Sequence, residues 1–196
     1  MGGGLVLFGV GTGSTGGGGL LNAFGGGSSN QKQVVSQQEK DALKATQLRP
    51  SDPQAWGSLL QARWTSAGQV PDYQPSTQTF TSAGKKELIA ATGAWQRYLQ
   101  LTRKPDPNLA VLAARAYAAL GDFTNEAGAW ETITVASPSE AKGFECLAAS
   151  AYAAGQKHKG DLAAARAISL VPKLQQIQVK GILTQAKTQP QVAQQC

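Results

Sequence analysis

A single histidine among 196 residues leaves general acid–base chemistry almost without its usual carrier. His158 stands among lysines, in what reads as a Gln156–Lys159 turn between two helices, with no nearby partner in sequence to orient it. No Ser, His and acid set can be assembled without a second histidine or a lysine substitute, and no Cys/His/Asp spacing suits a metal site. The expectation is a chain that is not an enzyme, with no catalytic residue, no metal and no cofactor.

Cysteine is nearly as scarce. Cys146 lies inside an apolar helical pattern and Cys196 at the last position, so no disulfide framework is implied. One small buried hydrophobe and one frayed thiol are expected. Clustered charge is missing too: the net charge is +6 and the pI about 9.4, but Lys and Arg occur singly or in short pairs such as Lys85-Lys86 and Arg103-Lys104. A phosphate-neutralising footprint needs clustered cations with interleaved aromatics, so no nucleic acid partner is expected. The acidic groups Glu39, Asp41 and Asp122 to Glu126 read as helix starts or exposed faces. Alternating β-branched residues are also hard to find, which argues against a sheet.

What is present divides in two. Residues 1–30 carry no charged side chain and three glycine runs, around the apolar stretches Leu5–Phe8 and Leu20-Leu21. This leader is long enough to cross ~30 Å of hydrocarbon as a helix, although its glycines weaken that reading. It reads as a membrane anchor or signal remnant, or otherwise as a disordered tail. A signal needs basic residues ahead of its apolar core, which would place the true start upstream of Met1. If the leader is an anchor, Lys32 and Lys40 favour a cytoplasmic domain; if it is a cleaved signal, the domain lies outside. Membrane-associated or envelope localisation is therefore expected, or cytoplasmic if the leader is only a tail.

From residue 31 to 196 the pattern is all-α, and it repeats. Gly121 and Gly155 stand 34 residues apart, as do Pro138 and Pro172. Each glycine follows an Ala-rich helix carrying Tyr117 or Tyr152, and Gly-Ala-Trp occurs at both 93–95 and 128–130. The small pair is expected to let helices approach while the indole fills the gap. Units fall at about 53–105, with an inserted loop at 69–84 before a helix from Lys85 to Thr102, then at 107–138 and 139–172. Gly160 and Ala164 are expected to keep the two helices of the last unit close. An unpaired helix at Ser36–Gln47 precedes the units. A capping helix at 173–188 follows them, with Leu174, Ile177 and Ile182 on its apolar side.

With Ala114, Tyr117, Gly121-Asp122-Phe123, Trp130 and Pro138 in one unit, and Leu147, Ala148, Gly155, Gly160, Ala167 and Pro172 in the next, the chain resembles the tetratricopeptide repeat family. Glu126 departs from the pattern, standing where a small alanine is usual. The resemblance implies a right-handed α-α superhelix of helix-turn-helix hairpins with a concave groove lined by first helices. The family's groove positions are the second, fifth, ninth, twelfth and thirteenth of each unit. Carried over, they give Gln54, Gln61 and Trp64, then Asn108, Val111 and Arg115, then Lys142, Glu145 and Tyr152. Asn108, Arg115 and Lys142 would clamp a peptide's carboxylate or backbone, and Trp64 and Tyr152 would offer flat apolar area. Alternatively, Trp64 and Tyr152 are packing residues and Arg115 is a solvated cation.

The implied function is a protein-binding adaptor or scaffold, attached to a membrane or exported through residues 1–30. Two others stay open. One is a self-associating, homo-oligomeric repeat protein whose groove takes its own tail, Gln185 to Cys196. The other is an electrostatic docking module for anionic lipid or nucleic acid.

Overall fold

The computed structural model describes residues 29–196, so the leader reading lies almost entirely outside the described residues. Eight α-helices follow one another: α1 Ser29–Leu48, α2 Pro53–Ala67, α3 Ser82–Leu101, α4 Pro107–Leu120, α5 Phe123–Ala136, α6 Ala141–Ala153, α7 Lys157–Leu170 and α8 Lys173–Ala186. A 3-10 turn at Pro190–Gln195 closes the chain. The described residues are thus all-α apart from one short ribbon, in which Tyr73–Gln74 (β1) pairs antiparallel with Thr79–Phe80 (β2). No described helix is long and apolar enough to cross a membrane.

Local chemistry explains the boundaries. Asp-Pro starts both α2 and α4: the proline's fixed φ suits the first helical position, and the aspartate caps the free amides behind it. The Asp52 carboxylate accepts the Gln54 N–H at 2.9 Å, and Asp106 accepts that of Asn108 at 2.8 Å. α4 and α6 begin 34 residues apart, as do α5 and α7, which reproduces the period read from Gly121 and Gly155. Those two glycines reverse the chain after α4 and α6 with φ of 75° and 74°, a left-handed backbone that side chains resist.

Each helix packs chiefly on its neighbours in sequence, with α2 also against α4 and α6 against α8. The core is made largely of alanines, among them Ala110, Ala113, Ala114, Ala148, Ala151 and Ala167, with Trp95, Tyr98, Tyr117 and Trp130 filling the larger gaps. Small residues let helix axes come close, and the indoles occupy what alanine leaves open. At Gly160 the approach is tight, since a Cβ there would come within 2.5 Å of the Tyr152 ring.

Several expectations are corrected. The glycines of the two Gly-Ala-Trp motifs do no packing work: Gly93 and Gly128 face open space, and only Ala94, Trp95, Ala129 and Trp130 are buried. The 69–84 segment is not an open loop. It folds as the ribbon, α3 begins at Ser82, and Gly84 sits in its first turn because a Cβ there would collide with the Asp72 carbonyl oxygen. On α8 the buried residues are Val179, Leu183 and Ala186, whereas Leu174 is 93% and Ile177 81% exposed. The helix is turned away from the face its most hydrophobic residues would choose, because it packs on α6, α7 and the following turn.

Asp122 caps α5 and Glu126 stands in its first turn, as expected of a helix start, but Glu126 is fully buried. Burial pushes its carboxyl up to about 8, and the Trp130 indole N–H, donating to Oε1 at 3.2 Å, pulls the other way. Glu39 lies in mid-helix, where Arg63 Nη1 bridges it and Glu87 at 2.7 Å each, joining α1, α2 and α3. The Ser66 hydroxyl donates to the second Glu39 oxygen at 2.6 Å.

Candidate peptide-binding face

The nine residues assigned to the groove lie on α2, α4 and α6, in two different kinds of surrounding. Gln54, Gln61, Asn108 and Arg115 are exposed and Val111 is half-buried. They sit on α2 and α4, which pack against each other. Spacings of seven on α2 and of three and four on α4 put each set on one side of its helix. Among the described residues, none of the four polar side chains makes a hydrogen bond or ion pair; Gln54 and Asn108 take part only through their backbone amides. Such polar groups are available to an incoming backbone or carboxylate at little cost in broken contacts.

Trp64 and Tyr152 are engaged in packing. The Trp64 ring lies 6.4 Å from Phe80, which in turn lies 5.0 Å from Tyr73, so the ribbon folds back over α2. Trp64 also packs on the cluster of Ala67, Leu88 and Ala116. Tyr152 covers Gly160 and donates its hydroxyl to Asp161 Oδ1 at 2.8 Å, while Lys187 Nζ stands 5.1 Å from its ring centre. Lys187 pairs with the same Asp161 oxygen at 2.8 Å and holds that carboxyl below the usual range.

On α6, Lys142 is exposed and approaches Glu145 at 3.8 Å, one turn along the same side. That side continues through Cys146, Ala149, Tyr152 and Ala153, and here the sequence reading of the cysteines is overturned. Cys146 and Cys196 form a disulfide, with Cα atoms 5.7 Å apart across 50 residues. The segment after α8 runs back over α6 and also touches α4 and α8. Val192 and Ala193 are buried with Ala149 and Ala186, and Phe123, Tyr152 and Ala153 pack around them. No spacing rule could have found this, since two cysteines 50 residues apart are joined by topology alone.

His158 is also corrected. α7 begins at Lys157, so the imidazole lies in its first turn and is exposed, beside an open depression of about 440 Å³ lined by Phe144, Leu147, Leu162 and the Lys159–Glu131 pair.

Among the described residues, fold and face together define a class: a mostly helical protein whose second half repeats a 34-residue hairpin and whose α2 and α4 carry exposed polar side chains. Compared with family models, with curated proteins and with solved structures, the chain matches none.

Proposed function

We propose that this protein is a non-enzymatic interaction module of the tetratricopeptide type, its hairpins stacked as a right-handed superhelix, that holds an extended or helical segment of another protein across α2 and α4. The observation that carries this reading is the set of Gln54, Gln61, Asn108 and Arg115, exposed on two adjacent helices and unpaired among the described residues. Exposed amide and guanidinium groups on two helices in contact, unpaired among the described residues, suit backbone or carboxylate recognition. The disulfide supports an oxidising compartment, which agrees with the leader acting in export or envelope attachment.

The test is capture by the immobilised full chain, with retained proteins identified by mass. The quadruple variant Gln54→Ala, Gln61→Ala, Asn108→Ala, Arg115→Ala is expected to lose a specific partner at least tenfold while its helical circular dichroism is unchanged. Equal retention by both forms would move the binding face elsewhere. A partner whose retention falls steeply with salt would instead favour electrostatic docking.

The burial of Val192 and Ala193 favours one part of a second reading, in which the groove takes the chain's own tail. The contact is made within one chain, so self-association is not required for it.

A further inference from the structure

We propose that residues 187–196 are a tethered occupant of the α6 side of the binding face, latched by the Cys146–Cys196 bridge and released by a dithiol reductant. The residues assigned to the groove on α6, Lys142, Glu145 and Tyr152, alternate along one side with Cys146, Ala149 and Ala153. That is the side on which Val192, Ala193 and Cys196 sit. The segment therefore stands where a bound peptide would, presenting two small apolar side chains to an alanine stripe.

Two clamps hold it. At one end Lys187 pairs with Asp161 and Tyr152, on the protein surface, where such contacts contribute little. At the other end is the disulfide. Between them the backbone hydrogen bonds of the segment are local, from Val192 N–H to the Gln189 carbonyl and from Cys196 N–H to the Ala193 carbonyl. Val and Ala bury little apolar area, whereas ordering eight or so residues costs conformational entropy for each. Contact alone does not hold the segment down, and the covalent bridge decides its position.

Opening is a two-electron exchange. A thiolate of the dithiol attacks Cys196 Sγ, the sulfur of the partly exposed residue, while Cys146 is fully buried. The S–S bond breaks, Cys146 leaves as thiolate and takes a proton, and Cys196 is held in a mixed disulfide. The second thiol of the reductant attacks that bond, frees Cys196 as a thiol and closes the reductant's own disulfide. In an oxidising compartment the latched form is the resting one.

The proposal rests on the first helices being the binding face, but its readout does not involve α2. Hydrogen exchange of the full chain is compared in the oxidised form, after dithiothreitol, and in Cys196→Ser. In the two unlatched forms the amides of residues 192 and 196 are expected to exchange at least tenfold faster, with helix amides of α4 to α7 unchanged. Unchanged protection after reduction and in Cys196→Ser overturns the latch. Loss of partner capture in the α2 and α4 variant, or its persistence, leaves this result untouched.

Discussion

The two halves of the molecule hold their helices together in different ways. From α4 to α7 the hairpins are close to identical in length and spacing, joined by left-handed glycines and packed through alanines, with Trp130 and Tyr117 as the large residues. From α1 to α3 the period is lost. There the connection between α2 and α3 is a ribbon sealed by Trp64, Phe80 and Tyr73, and the helices are tied by the Arg63 bridge to Glu39 and Glu87. A regular repeat can rely on small residues because every interface is alike. An irregular one needs particular contacts, and these are what a substitution removes.

The largest test probes the exception within the regular half. Glu126 has its carboxyl raised from 4.5 to about 8, so the folded chain keeps a proton that the unfolded chain releases. Stability is therefore full at and below pH 4.5, falls as pH rises towards about 8, and then levels. Glu126→Gln is expected to remove this slope and to be more stable than the native chain at pH 9 by about 5 kcal/mol, with little difference at pH 4. Urea unfolding at the two pH values measures it; parallel slopes for the two proteins would mean that Glu126 is ionised in the fold.

In the irregular half, Arg63→Ala leaves Glu39 and Glu87 facing each other without their cation, at a cost of about 3 kcal/mol. Chemical denaturation measures the loss, and restoring most of it with Glu87→Gln in the same chain would show that carboxylate repulsion is the cause.

The smallest effects separate glycines by use. Gly84→Ala forces the ribbon away from α3 and is expected to destabilise by about 2 kcal/mol. Gly128→Ala meets nothing within 4 Å and should stabilise α5 by about 0.8 kcal/mol. Thermal melts of the two variants should move in opposite directions.

The candidate face was partly legible before any fold was known. Gln54, Gln61, Asn108 and Arg115 were assigned from the groove positions that the family resemblance implies, and Asp52-Pro53 and Asp106-Pro107, which mark helix starts, fixed where the count begins. Trp64 and Tyr152 are placed by the same count, yet their surroundings depend on a ribbon and a helix far away in sequence. α8 misled for a related reason: its strongest apolar residues, Leu174 and Ile177, are not the ones its neighbours cover.

By itself the sequence determined that the chain from residue 31 is helical, the starts of α2 and α4 and the 34-residue period of the second half, because capping aspartates, prolines and left-handed glycines act within a turn of the chain; the starts of α1, α3 and α7 were not legible in this way. Only the tertiary structure decided which cysteine meets which, that Glu126 is sealed from water, and that Arg63 gathers two carboxylates. Those outcomes join residues on different helices, or depend on what other helices cover, and no local preference encodes such a meeting.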